Sequence, residues 1–281
     1  MSIEDYFRGK GCVVTGAASG IGYAVSEALL NVGATVFMAD KDTKMLVSAV
    51  EQLSAHAGRV HPMTVDVTNR EQVQQLIQDA ASSHGRLDVL FNNAGIGCAK
   101  AFAEVTLDLW RRIIDINLWG VIYGINAAFP IMLRQGGGHI VNTASMAGLM
   151  PFAYEALYVT TKYAVVGLSE SLRYELEEDG ILLSVICPGP VISRIWEELQ
   201  PPSYAISAEE AARTVLAGVA NKEGIIVVPE IFRAIWLEHY KSPEYGETFL
   251  RDVARQRRRP YDTPIDPVKA WLESSNVARQ R

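Results

Sequence analysis

Tyr154, Tyr158 and Lys162 stand at intervals of four in YEALYVTTK (154–162). Residues four apart share one face of a helix. A free phenol has a pKa of about 10, and a nearby positive charge favours its phenolate. A tyrosine held one turn from a lysine is therefore a candidate for giving and taking a proton near neutral pH. The same spacing also suits an aromatic stripe packed into a core, and on spacing alone either tyrosine could be the acid.

A second group lies near the start. VVTGAASGIGYAVSEAL (13–29) sets Gly16, Gly20 and Gly22 between an apolar run and a helical pattern. A loop there turns backbone N–H groups and a helix N-terminus toward a pyrophosphate, and glycine clears the approach. The spacing is GxxxGxG rather than the GxGxxG fingerprint, so an ordinary turn competes with phosphate binding. Asp40 ends the next apolar run. A carboxylate at that point accepts hydrogen bonds from the adenosine ribose and repels a 2′-phosphate, which predicts NAD over NADP. Lys41 beside it argues the other way. Capping the next helix falls more naturally to Asp42 or Thr43.

The elements that must position these groups alternate along the chain. Strands are expected in GCVVT (11–15), TVFMAD (35–40), RVHPMTVDV (59–67), LDVLFNNAG (87–95), GGGHIVNTAS (136–145), ILLSVICPGP (181–190) and GIIVVP (224–229). Helical patterns cover about 20–31, the stretch to Leu53, a Gln-rich stretch after the third strand, 107–134, 152–178 and 207–220, the last capped by Ser207. Short apolar strands between helices imply a parallel sheet covered on both faces, an α/β doubly wound architecture in one domain.

Composition narrows the class. The 281 residues carry a net charge of −6, against a general nucleic-acid binder. The tail has a local basic cluster, RQRRRP (255–260), which reads as a solvated helix end. Cys12, Cys98 and Cys187 are widely spaced and form no CxxC, so neither a disulfide framework nor a metal site is expected. The N-terminus lacks the apolar segment of a signal peptide, and no uninterrupted apolar run approaches the ~18 residues of a membrane span. A cytoplasmic protein is expected.

Taken in order, these stretches resemble the short-chain dehydrogenase/reductase family. TGAASGIG (15–22) is similar to its cofactor loop, Asp66-Val67 to its adenine-pocket position and NNAG (92–95) to its fourth-strand motif. Asn117 in DINLWG, Ser145 after the fifth strand, YVTTK (158–162) and PGPV (188–191) complete the series. The resemblance implies a Rossmann-type domain over 1–229 with a seven-stranded, mostly parallel sheet, and a C-terminal helical extension over 230–281. It selects Tyr158, which has Lys162 four residues on and Ser145 about a dozen residues upstream. Tyr154 has Tyr158 where the lysine should stand.

The resemblance further implies Asn117, Ser145, Tyr158 and Lys162 as catalytic residues. Tyr158 is the general acid/base, with its pKa lowered by Lys162. Ser145 holds the substrate oxygen, and Asn117 anchors a water. NAD would be held by Gly16, Ser19, Gly20, Ile21, Gly22, Asp40, Asp66, Val67, Asn93, Ala94, Gly95, Tyr158, Lys162, Pro188, Gly189 and Val191. Ser145, Ala147, Phe152, Tyr154, Tyr158 and Trp196 would meet the substrate. Because Ile96, Met146, Leu149, Met150, Ile195 and the other side chains near this pocket are mainly apolar, with Arg194 a possible exception, a lipophilic secondary alcohol or ketone is expected. A homodimer or homotetramer is the family's common state. EIFRAIWLEHY (230–240) puts Ile231, Phe232, Ile235, Trp236 and Tyr240 largely on one helical face, for packing, subunit contact or covering the pocket. The competing functions are a silent dinucleotide-binding sensor and another reaction of the family, such as epimerase, dehydratase or enoyl reductase.

Overall fold

A computed structural model describes residues 1–193 and 204–242, with isolated positions between 247 and 255. A short helix, α1 (Ile3–Phe7), precedes the alternating pattern. There follow β1 (Gly11–Thr15), α2 (Gly20–Asn31), β2 (Thr35–Asp40), α3 (Thr43–Gln52), β3 (Val60–Thr64), α4 (Arg70–His84) and β4 (Val89–Asn92). Then come α5 (Leu107–Ile114), α6 (Gly120–Arg134), β5 (Gly138–Thr143), α7 (Ala156–Glu175), β6 (Ile181–Pro188), α8 (Ala208–Ala220), β7 (Ile225–Val228) and α9 (Ile231–Lys241).

The seven strands form one parallel sheet in the order β3-β2-β1-β4-β5-β6-β7. The order reverses between β1 and β4. There the loops leaving adjacent strand ends diverge and open the crevice in which such sheets bind ligands. Alternation along each strand feeds two cores. Val13, Phe37, Leu90, Ile140 and Leu183 face the layer of α4, α6, α7 and α9. Cys12, Val36, Phe91, Val141 and Ile186 face α1, α2, α3 and α8. With both faces covered, the strands carry few polar side chains.

One helix keeps its expected bounds but not regular bonding, and another starts later than expected. Residues 107–134 form one continuous 28-residue helix, but a π-helical turn at Asp115–Trp119 interrupts its α-helical bonding. This helix is long and apolar enough, by length and composition, to pass for a membrane span. That qualifies the expectation drawn from uninterrupted runs. Its Ile113, Val121, Gly124, Ile125, Ala128 and Met132 are buried within the protein. The helix expected from Phe152 begins only at Ala156, because Tyr154 adopts a left-handed backbone at φ 66°. Tyr154 therefore does not share the helical face of Tyr158 and Lys162.

Candidate active site

The site lies at the C-terminal ends of β1, β2, β4, β5 and β6. After β1 the chain turns at Gly16 and Gly20, with φ +65° and +55°. A Cβ on Gly16 would come within 2.9 Å of the Ala94 backbone, and one on Gly22 within 2.2 Å of the Gly16 carbonyl. Glycine is thus required for the loop to close on β4 and for α2 to start where it does. Ser19 caps α2 by position but makes no side-chain cap hydrogen bond, and no acidic residue occupies the first turn. The N–H groups and positive end of α2 are left facing the loop, as a pyrophosphate requires. Ile21 packs against the core behind it.

Asp40 holds this loop from the end of β2. Its Oδ2 accepts from the Ala18 N–H at 3.1 Å and its Oδ1 from the Asp42 N–H at 3.0 Å. Asp42 caps α3 through the Met45 N–H, which leaves Asp40 free of that duty. Beyond lies an open cleft of about 660 Å³ lined by Lys41, Thr43, Lys44, Thr64, Asp66 and Gln72. Partial burial raises the Asp66 pKa, but the Thr68 N–H and hydroxyl and the Lys41 charge outweigh it and leave Asp66 below its ordinary value. Val67 packs under Gly120, where a Cβ would stand 3.0 Å from its methyl.

Thr15, not singled out from the sequence, joins β1 to the loop after β4. Its Oγ1 accepts from the N–H groups of Asn93 at 2.9 Å and Ala94 at 3.1 Å. Asn93 returns its amide to the Thr15 carbonyl at 3.0 Å. A threonine ending a strand beside a glycine turn was the available signal.

Asn117 sits in the π-helical turn and is fully buried. Its Oδ1 accepts from the Ile96 N–H, and its Nδ2 donates to the Ile96 carbonyl and to Thr161 Oγ1, at 2.9, 2.9 and 3.3 Å. The side chain therefore ties the β4 loop to α7, and its amide is occupied with protein partners. Gly95 lies against it, where a Cβ would come within 3.3 Å of Asn117 Oδ1 and 3.5 Å of Lys162 Nζ.

Ser145, Tyr158 and Lys162 meet at the ends of β5 and α7. Ser145 Oγ accepts from the Ala147 N–H at 3.1 Å and donates to the Pro188 carbonyl at 3.3 Å. Lys162 is buried, and its Nζ donates to the Thr143 carbonyl at 2.9 Å. It lies 5.5 Å from the centre of the Tyr158 ring. Tyr158 keeps part of its surface open although neighbouring atoms enclose it deeply.

Burial pushes the Tyr158 pKa up to about 12, with the nearby Ser145 side chain acting in the opposite direction. Burial lowers that of Lys162 to about 8. The lowering expected from Lys162, together with the charge of an oxidised nicotinamide, does not prevail in the protein alone. Desolvation opposes charge on both groups, and it dominates here. The protein by itself holds Tyr158 in its acid form. Cys187, buried below on β6, has its thiol pushed up to about 12 by the same cause.

The core next to this group is apolar. Met146, Ala147, Leu149 and Met150 are buried, with Phe152, Tyr204 and Trp236 packed against the same core. The Tyr154 carbonyl accepts from the Lys100 N–H at 2.7 Å, which ties the β4 loop to the segment before α7. Val191 is buried and pairs with Ile206. Trp196, Ile195, Arg194 and the basic cluster after Arg255 lie outside the described residues. Of the expected C-terminal stripe, Phe232 and Ile235 are buried, while Ile231 and Tyr240 are exposed. No group of metal-ligating side chains occurs among the described residues.

The family model for short chain dehydrogenases matches residues 10–203. An uncharacterised oxidoreductase of Staphylococcus aureus is 37% identical over 219 residues, covering 78% of this chain and 94% of that one. The 3beta-hydroxysteroid dehydrogenase 2 of Eggerthella lenta is 34% identical over 197 residues, covering 69% and 76%. A crystal structure of a short chain dehydrogenase/reductase from Burkholderia phymatum in complex with NAD superposes with a TM-score of 0.79 at 29% identity, covering 93% of this chain and 99% of that one. The chain belongs to the short-chain dehydrogenase family and is an oxidoreductase of that class.

Proposed function

We propose that this protein is an NAD-dependent dehydrogenase that interconverts a lipophilic secondary alcohol and its ketone, with Tyr158 as the general acid and base. The observation that carries this reading is the meeting of Ser145, Tyr158 and Lys162 at one place, with Lys162 Nζ pinned to the Thr143 carbonyl and 5.5 Å from the centre of the Tyr158 ring. The residues fit the dinucleotide. The glycine turns and uncapped α2 suit its pyrophosphate, and the Asp40 carboxylate suits an unphosphorylated ribose. The related structure in complex with NAD supports the same choice.

In ketone reduction, Tyr158 donates its proton to the carbonyl oxygen while Ser145 hydrogen-bonds that oxygen and steadies its developing charge. Lys162, pinned to the Thr143 carbonyl, holds a positive charge near the ring. Bound NAD supplies the hydride acceptor for the reverse direction and brings a positively charged ring to the site. In alcohol oxidation, Tyr158 must first lose its proton. With its pKa pushed up to about 12 by burial, that step is strongly uphill at pH 7 in the protein alone. Oxidation therefore depends on added positive charge beside Tyr158 and accelerates as pH rises.

The partly buried Phe152, packed on the apolar core that follows Ser145, supports a lipophilic substrate. The similarity to a steroid dehydrogenase supports the same class. The test is a panel of steroid, terpenoid and aromatic secondary alcohols and ketones, followed by absorbance of the reduced cofactor with NAD and with NADP. Turnover of bulky apolar alcohols with NAD is expected. Activity confined to small polar alcohols, or a preference for NADP, would contradict the reading.

A further inference from the structure

The turn after β6 rests on a residue from the far end of the described chain. Gly189 lacks a Cβ, and one built there would come within 2.8–3.2 Å of three atoms of the Phe232 ring. The ring thus occupies the space beneath the turn that any other side chain would fill. Phe232 is the second residue of α9 and is buried. Its N–H bonds the Pro229 carbonyl at 3.0 Å, and the Gly189 N–H bonds the Val228 carbonyl at 2.6 Å.

On its other side, the Phe232 ring packs against Tyr204, with ring centres 6.1 Å apart. Ile206, two residues on, accepts from the Ile192 N–H and donates to the Pro190 carbonyl, at 2.9 and 3.2 Å. The ring therefore touches the turn at Gly189 and the segment that rejoins it at Ile206. Immediately before Gly189, the Pro188 carbonyl accepts the Ser145 hydroxyl. One apolar side chain on α9 thus braces both Pro188–Val191 and the acceptor that orients Ser145.

We propose that Phe232 is a positioning residue for the nicotinamide end of the cofactor and, through Pro188, for the Ser145 hydroxyl. This rests on the NAD reading above, with Pro188, Gly189 and Val191 among the residues expected to hold the cofactor and Pro188 hydrogen-bonded to Ser145 where the nicotinamide would react. A well-packed ring beneath a glycine leaves the turn one seat. Without the ring, the turn settles into the space below and withdraws from the cofactor and from Ser145. The adenosine end, held by Asp40 and the glycine loop, does not share this support. Phe232 acts on one half of the ligand, whereas a purely structural role would affect both halves alike.

The test is Phe232→Leu, which keeps α9 apolar while removing the ring. NADH is titrated by its fluorescence, and ADP-ribose, which lacks nicotinamide, by displacement. NADH affinity is expected to fall about tenfold with ADP-ribose affinity unchanged, and kcat to fall further than KM rises. Gly189→Ala pushes on the ring from above and is expected to show the same selective loss. It carries the test alone if Phe232→Leu does not fold. Equal loss of both ligands, or loss of neither, would overturn the proposal. A wild-type chain binding NADH no more tightly than ADP-ribose would contradict the cofactor reading itself, and the brace with it.

Discussion

The Lys162 ammonium donates to the Thr143 carbonyl at 2.9 Å and lies 5.5 Å from the centre of the Tyr158 ring. The lysine is thus anchored to β5 rather than to the phenol oxygen. Its effect on Tyr158 is that of a fixed charge within a poorly solvated site. Lys162→Met keeps most of the apolar stem and removes that charge. Turnover is expected to fall by about 10²-fold or more, with the alkaline limb of the oxidation profile displaced to higher pH. A pH–rate profile of the variant against wild type checks this, and an unmoved limb would contradict it.

Asn117 spends its amide on both polar groups of the Ile96 backbone and on Thr161. Asn117→Ala leaves these buried groups without partners. It is expected to destabilise the fold by roughly 2–4 kcal/mol and to loosen the β4 loop over Lys162. Denaturant unfolding measures the first effect, and NADH affinity the second.

Asp40 has two tasks, because the carboxylate placed for the ribose also accepts the Ala18 N–H of the glycine loop. Asp40→Ala is expected to raise KM for NAD about 10- to 100-fold, the effect of losing charge-assisted hydrogen bonds of roughly 1.5–3 kcal/mol. Discrimination against NADP should narrow at the same time. Steady-state kinetics with both cofactors checks this, and an unchanged NAD/NADP ratio would remove Asp40 from the selectivity argument.

At the N-terminal end of β5, the opposite end of the strands from the site, His139 is buried in a polar chain. Ser184 Oγ donates its one proton to the Glu223 carbonyl at 2.6 Å, so it accepts from His139 Nε2–H at 2.9 Å. His139 Nδ1 then accepts from the Tyr6 hydroxyl at 2.8 Å. The ring is neutral, and burial pushes its pKa down from 6.5 to about 3. The unfolded chain therefore binds a proton near pH 6.5 that the folded chain refuses until about pH 3. This stability contribution is complete above pH 6.5 and is lost as pH falls toward 3. Over about pH 4–6, unfolding free energy should fall about 1.4 kcal/mol per pH unit more steeply in wild type than in His139→Gln. Equal slopes would show that another group governs acid unfolding.

Much of this arrangement is written in local sequence. Short apolar strands closed by glycine or proline, and helices opened by Asp42 or Ser207, mark the βα order, because each signal acts within a few residues. The glycine turn and the tyrosine–lysine spacing stand out in the sequence, whereas the choice of Tyr158 over Tyr154 and of Ser145 comes from the family resemblance. Other features arise only from packing. The left-handed backbone of Tyr154 breaks a helical spacing that looks continuous in the sequence. The π-helical turn around Asn117 follows no composition signal. The direction of the Tyr158 and Lys162 shifts depends on how deeply both are enclosed, which spacing does not report. The contact of Phe232 with Gly189 joins residues from separate elements and becomes visible only when both are placed.

The most direct test is Tyr158→Phe, which removes a single oxygen from the ring. Turnover of a substrate identified in the alcohol panel is measured beside NADH affinity. The mechanism predicts affinity within about twofold of wild type and turnover lower by about 10²–10⁴-fold, the share ordinarily supplied by a general acid or base. Turnover at the wild-type rate with cofactor bound would show that another group moves the proton.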